Sequence, residues 1–458
     1  MLRTSSYTII VELPDGEFAL SHGYTGALDR VSHAIGTRLM EGLKKYKPYD
    51  SEVDAILKDR GYITETSIEE ENEYFKRVIN LEHKKHEKNR KSHFSIIVTY
   101  DCNFECPYCY EKDLFIDSPL KKAKIISKKE VDAIFNTIPQ IEPKASKTIK
   151  HIMLFGGEPL LKANLPIVKY IISKGKAAGY GFAVTSNGYD IDCYEEYLGK
   201  NGIETIQITL DGPSDVNNRR RRHKDGVETF DKIISNIKLA LSKNVVIKVR
   251  VNVDCENKDS IDNLYEHLNS EGIFKSKSFS IYTEYICGDI NFNPTGYNDF
   301  DFSRKEYFSL IDKSPYNIKH DFRIFSNIER ALKNRTKLSF IPKHCAAESS
   351  AYVFDPFGNI YSCYDEIGKN SSRIGTYIPS LNWDNDVKDF WFGRDISNYP
   401  RCSRCKYALF CGGGCFSKQL ISGRSIGCCD DFPLRFRYAL KKLITPKQLH
   451  HEEKGKNE

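Results

Sequence analysis

Short apolar runs divided by amphipathic stretches set the pattern in the middle of this chain. The runs at 94–98, 151–155, 181–184, 204–210, 245–253 and 279–286 are β-branched or aromatic, which suits a pleated, half-buried surface. Between them, 165–176, 230–241 and 260–268 place apolar residues at helical spacing. Such alternation predicts a parallel sheet of βα units, and about six units predict a partial (β/α)6 TIM-like barrel. Reactive groups in such a barrel gather at the C-terminal ends of its strands.

The flanks read differently. Residues 7–13 and 17–21 predict strands around the turn Pro14-Asp15-Gly16. A helical pattern runs from Leu28 to Leu43, another covers 51–58, and a charged helix covers 67–90. Beyond 290 the chain turns polar and Asn-rich, then crowds cysteines among turns and short strands, with a last helix over 432–443. The expected class is α/β. Its expected parts are an N-terminal α+β unit (1–66), a charged helical linker (67–92), the barrel (93–290), a bridging segment (291–343), a cysteine-rich domain (344–445) and a polar tail (446–458).

Composition narrows the class. The 458 residues suit two or three domains, and 40% apolar with 28% charged residues suits a soluble globular chain. The start Met-Leu-Arg-Thr-Ser-Ser-Tyr-Thr has no signal-peptide h-region, and no apolar run is long enough to span a bilayer. Fourteen cysteines without an export signal point to metal rather than disulfides, so the expected home is the cytoplasm. Net charge is +6, with basic runs at 84–91 and 219–224 that would suit phosphate contacts. The first is interleaved with Glu82 and Glu87 and reads as a solvated helix; neither DNA nor a membrane is an expected partner.

The chemistry concentrates in Cys102, Cys106 and Cys109, spaced CxxxCxxC just after the first barrel strand. Three thiolates can hold three irons of a cubane cluster and leave the fourth for a substrate or cofactor, whereas structural Fe–S sites take four protein ligands. A zinc knuckle would want a fourth protein ligand, and no other Cys or His lies in the loop. One strand later come Gly156-Gly157-Glu158-Pro159, where missing Cβ atoms open the backbone to a ligand.

On these motifs the chain resembles the radical S-adenosylmethionine (SAM) superfamily. The resemblance implies that Cys102, Cys106 and Cys109 hold a 4Fe–4S cluster, with Tyr108 as the aromatic before the third cysteine. It implies SAM contacts from Gly156, Gly157, Glu158 and Pro159 (methionyl amino group) and from Ser186 and Asn187 in Thr185-Ser186-Asn187-Gly188 (ribose and carboxylate). Thr209 in Gln207-Ile208-Thr209-Leu210-Asp211-Gly212-Pro213 and Arg250 on the fifth strand complete the cofactor set. Thr209 stands where serine is commoner, and Asn217 where many relatives have histidine.

A second array, Cys345, Cys363, Cys402, Cys405, Cys411, Cys415 and the pair Cys428/Cys429, allows two zinc sites from its spacing alone. It resembles the SPASM domain, which implies two auxiliary 4Fe–4S clusters. The outer would use Cys402, Cys405, Cys411 and one of Cys428 and Cys429; the inner would use Cys345, Cys363 and Cys415. The inner cluster is a ligand short, which Cys287 or His344 would supply unless that iron stays open. Cys193 and Cys255 read as bystanders. The N-terminal unit is similar to PqqD-like winged-helix modules that bind precursor leader peptides by strand addition, although a plain cap on the barrel fits it equally.

The resemblance implies reductive cleavage of SAM to a 5′-deoxyadenosyl radical, hydrogen abstraction from a substrate carbon, and electron loss to the auxiliary clusters. The expected activity is that of a peptide maturase forming a thioether or carbon–carbon crosslink in a ribosomal precursor, with a flavodoxin- or ferredoxin-type electron donor. An anaerobic sulfatase-maturase-like, formylglycine-generating enzyme is the alternative. Those enzymes place an aspartate directly after the cysteine corresponding to Cys363; here that residue is Tyr364, with Asp365 next as candidate base. A non-catalytic Fe–S carrier or redox sensor is the reading from another class.

Overall fold

The computed structural model describes residues 1–112, 114–115, 117–286, 304–316, 318, 320, 323–421 and 432–445. Its centre is a ten-stranded sheet in the order β11-β10-β9-β8-β7-β6-β12-β13-β14-β15. The first six are β6 (His93–Ile97), β7 (His151–Phe155), β8 (Gly181–Ser186), β9 (Ile203–Thr209), β10 (Val246–Val253) and β11 (Phe279–Tyr285). They are parallel and in sequence order, as the alternation of runs predicts. Leu154, Val184, Ile206 and Val249 are fully buried or nearly so, on the face covered by the helices Leu165–Ala177, Phe230–Ser242 and Ile261–Ser270. Burying each such side chain stabilises by roughly 1.5–3 kcal/mol. The strand period of two turns Ser95, Met153, Thr185, Gln207 and Tyr282 to the opposite, inner face. There Thr185 Oγ1 lies 4.0 Å from Met153 Sδ, and Tyr282 donates to Gln207 at 2.9 Å.

The sheet does not stop at β6. On its far side β12 (Ala351–Phe354) pairs in parallel, registering Ala351 with His93 and Phe354 with Ile96. Antiparallel β13 (Asn359–Tyr361), β14 (Arg373–Thr376) and β15 (Asn382–Trp383) then extend it. The cysteine-rich region is therefore hydrogen-bonded to the barrel's first strand, which hydrophobic patterning did not reveal.

The N-terminal unit is a three-stranded antiparallel sheet, β2 (Thr8–Glu12), β3 (Phe18–His22) and β4 (Leu28–Val31), followed by α1 (His33–Glu41), α2 (Ser51–Asp59) and α3 (Ile68–Asn89). The helical pattern from Leu28 is corrected here: Leu28 to Val31 pair with β3, and the helix starts at His33. Two-residue β1 (Arg3–Thr4) and β5 (Ile63–Thr64) pair separately. The charged helix α3 begins with a capping box, Ser67 and Glu70 satisfying each other's backbone amides. It is not solvated all round. Phe75 and Ile79 pack with Tyr7, Ile396, Ala408 and Leu409, and buried Glu71 accepts from Arg3 at 2.9 Å and from the Ser6 amide at 3.0 Å. The polar bridging segment carries two helices, Arg304–Lys313 and Arg323–Asn334.

Candidate functional site at the barrel mouth

The CxxxCxxC loop leaves β6 at the C-terminal end of the parallel strands. Asp101 accepts from the Cys102 amide at 2.9 Å, the Phe104 amide points at Cys102 Sγ at 3.3 Å, and the Asn187 side chain donates to the same sulfur at 3.8 Å. The three sulfurs sense one another, and burial raises all three thiol pKa values, Cys109 to about 12. A metal reverses that preference by binding the thiolate. Tetrahedral zinc would bring sulfurs to about 3.8 Å of each other. Among the described residues the only three-donor set within 4.8 Å is Asp190, Asp192 and Cys193, so the loop's wider spread suits a cubane better. At Asp190 and Asp192 the charge is met by Lys232.

The Gly-Gly pair packs under this loop. A Cβ on Gly156 would meet the Thr99 carbonyl oxygen at 2.2 Å, and one on Gly157 the Asp101 oxygen at 2.3 Å; Gly156 also has φ +120°, which favours glycine. Gly157 and Glu158 donate their amides to Thr99 and Asp101, tying β7's end to the cysteine loop. Glu158 is 1% exposed. It accepts from the Leu160 amide at 2.8 Å, the Ser186 hydroxyl at 2.9 Å and the Asn187 amide at 2.5 Å. Burial outweighs these donors and lifts its carboxyl pKa to about 7. Glu158, Pro159 and Ser186 are thus buried brackets under the mouth, whereas the Asn187 side chain reaches Cys102 and Asn103.

The β9 end is equally tied. Tyr108 hydrogen-bonds Asp211 and accepts from Arg221 at 2.7 Å. Asn217, in the histidine position, accepts from the Asp211 amide at 3.1 Å. Asn257 donates to the carbonyls of Asp211 and Asn252. Thr209 pairs with Arg250 across β9 and β10, and Arg250 donates to Asn252 at 2.8 Å.

The C-terminal region brings a second loop to the same mouth. Tyr364 enters the barrel, its hydroxyl 2.5 Å from Ser95 and its ring 4.4 Å from Phe155. Asp365 shares its surroundings with Tyr110, Glu111 and Arg250, and burial raises its pKa. Tyr110 Oη and Glu111 Oε2 act on each other and are buried without a hydrogen-bond partner of good geometry among the described residues; burial lifts Glu111 to about 7. Sequence reasoning missed both, although they directly follow the third cysteine.

Cys345, Cys363 and Cys415 come from distant segments yet sense one another. Cys402 opens the short turn Cys402–Arg404, Cys405 caps it, and Cys411 ends Ala408–Cys411, against the N-terminal unit, where Lys406 donates to the Thr8 carbonyl at 3.0 Å. His344 places Nδ1 3.0 Å from the Cys411 carbonyl oxygen. Cys287, Cys428 and Cys429 lie outside the described residues.

Residues 96–268 match the model of the Radical SAM superfamily. A cysteine-type anaerobic sulfatase-maturating enzyme of Clostridium perfringens (strain 13 / Type A) is 20% identical over 369 residues, 75% of this chain and 95% of that enzyme. The structure of native anSMEcpe with bound AdoMet and Cp18Cys peptide is similar with TM-score 0.57 and 17% identity, over 77% of this chain and 98% of the other. Streptococcus suis SuiB bound to S-adenosylmethionine is similar with TM-score 0.50 and 15% identity, over 91% and 96%. Among the described residues no helix is long and apolar enough to cross a membrane. Over residues 96–268 the chain therefore carries a radical SAM domain, whose cofactors are S-adenosylmethionine and a 4Fe–4S cluster, joined strand to strand to a cysteine-rich region.

Proposed function

We propose that the chain is a SPASM-type peptide maturase that oxidatively crosslinks a side chain of a ribosomally made precursor, in the cytoplasm. The observation that carries this reading is the shared mouth. The loop after Cys363 enters the barrel whose first strand leads into the Cys102 loop, so an auxiliary cluster would stand beside the reacting substrate. Cys102, Cys106 and Cys109 would hold the SAM-binding cluster. The open backbone of Gly156 and Gly157, with Asn187, Thr209 and Arg250, would face the nucleotide. Glu158, Pro159, Ser186 and Tyr108 hold that frame in place. Cys345, Cys363 and Cys415 would hold the inner auxiliary cluster; Cys402, Cys405 and Cys411 would hold the outer, completed by Cys428 or Cys429.

The bound cofactors would supply the electron and the radical chemistry at a substrate carbon; the protein orients the partners and excludes competing reactions. Asp365, with Glu111 in its surroundings, would accept a substrate proton. The three-stranded sheet offers β4 as an edge for leader addition, since among the described residues β4 pairs only with β3. An electron donor of the flavodoxin or ferredoxin type completes the scheme. The test is co-expression with a short open reading frame encoded nearby: a product lighter by two hydrogens in the mass spectrum supports crosslinking, and an unmodified peptide beside active SAM cleavage counts against it.

The formylglycine reading has support from the Clostridium perfringens relative, of which this chain covers 95%. Against it, the residue after Cys363 is Tyr364, whose hydroxyl is engaged by Ser95. The anSMEcpe match also uses a smaller share of this chain than the SuiB match, leaving room for the N-terminal unit as an added module.

A further inference from the structure

The basic run at 219–224 has no role in the scheme above, and the structure splits it. Arg219 and Arg222 are exposed, whereas Arg220 and Arg221 are 3% and 7% exposed. Their surroundings differ. Arg220 is surrounded by carboxylates: Asp254 at 2.5 Å, Glu256 at 2.9 Å and Asp211 at 3.4 Å. Arg221 makes no ion pair within 4 Å among the described residues; its Nη1 donates to the Tyr108 hydroxyl, and its Nε is buried without a partner. Asp211 reaches it only through Tyr108; a buried cation with no direct carboxylate partner is costly, so such a group implies a further anion that belongs beside it.

The backbone shows what lies beside Arg221. The segment after Arg221 runs antiparallel to the cysteine loop: Glu105 donates to the Arg222 carbonyl, Lys224 to the Asn103 carbonyl, both at 2.8 Å, and Phe104 bridges His223. The guanidinium lies 5.8 Å from the Phe104 ring centre, and Tyr108, which it holds, stands between Cys106 and Cys109. Burial works against its charge, but the Cys106 sulfur, Tyr108 and Asp211 keep it cationic. Three thiolates make the loaded loop anionic, and reduction adds one more electron.

We infer that Arg221 is the fixed countercharge of the cluster on Cys102, Cys106 and Cys109, a positioning residue that favours its reduced form. This rests on the proposed assignment of those three cysteines. Net charge and hydrogen bonds around the sulfurs set the potential of such clusters; an adjacent cation stabilises the state with more electrons. Arg220, already neutralised, contributes far less.

The test is a dithionite titration of the reconstituted full-length protein, following the paramagnetic signal of the reduced cluster that changes when SAM is added. That response separates it from the auxiliary clusters. Arg221→Met and Arg221→Gln shift this midpoint to lower potential and leave the SAM-insensitive signals in place; Arg221→Lys stays near the parent. Arg221→Gln covers the case in which methionine impairs loading, because it keeps an N–H donor without the charge. An unchanged midpoint in both neutral variants overturns the inference. So does loss of the SAM-responsive signal in both with the other signals kept, which would make Arg221 an assembly residue only. A parent protein with no SAM-responsive signal at all instead removes the cysteine assignment beneath it.

Discussion

The two cysteine sites that meet at the barrel mouth are built in opposite ways. Cys102, Cys106 and Cys109 lie on one loop, closed locally and flanked by the buried cations Arg220 and Arg221. Cys345, Cys363 and Cys415 are gathered from three segments, and the groups around them are acids, buried Glu348 and half-buried Asp365, with Arg394 bridging. Arg394 donates to Glu348 at 2.6 Å and to the Gly414 and Gly413 carbonyls at 2.8 Å each. Glu348 lies three residues past Cys345, and Gly414 directly precedes Cys415. The first site is therefore specified by spacing, and the second by a buried ion pair that spans the region.

Breaking either site alone sharpens the contrast. Cys102→Ala lowers 5′-deoxyadenosine formation to the background seen without enzyme, measured by chromatography after incubation with SAM and dithionite, while the auxiliary iron stays. Arg394→Ala strands Glu348 as an unpaired buried charge and destabilises by about 3–5 kcal/mol. Iron analysis and absorption spectra then show the inner auxiliary cluster lost, with SAM cleavage persisting in the folded fraction; retention of all iron would contradict a site held together by Arg394.

Gly157→Ala tests the link between the barrel and its cysteine loop. The added Cβ meets two backbone oxygens, Asp101 at 2.3 Å and Tyr100 at 2.5 Å, so the loop must move at a cost of about 1–3 kcal/mol. The KM for SAM should rise more than kcat falls.

The charge on Glu158 makes a comparable contribution with a defined pH signature. Its carboxyl is raised from 4.5 to about 7, so between those values the native state holds more protons than the unfolded chain. Stability then falls as pH rises through this window, by on the order of 3 kcal/mol. Chemical unfolding at a series of pH values should show a flatter profile for Glu158→Gln. Smallest is Ser67→Ala, which removes the capping box of α3 at about 1 kcal/mol; a lower melting temperature with unchanged SAM cleavage is the expected result.

Much of this was legible in residue order. Six strands, their helices and the three-cysteine loop depend on periods of 2 and 3.6 residues and on short spacings, which are local properties. Leu28 to Val31 were misread because their pattern continued into a helix, and only pairing with β3 settled them as a strand. Asp365 was visible as a displaced acid after Cys363, but Tyr110 and Glu111 were not, since nothing local marks a carboxyl as buried without a partner.

The order of residues by itself determined the parallel barrel and the loop of thiols at its rim, because neighbours along the chain are enough to make them. The tertiary structure decided that β12 pairs with β6, that three distant cysteines converge, and that of two adjacent arginines one is surrounded by carboxylates while the other holds Tyr108 of the cysteine loop. Those outcomes depend on which charges and backbone groups end up buried together, and burial belongs to the folded molecule rather than to any stretch of its chain.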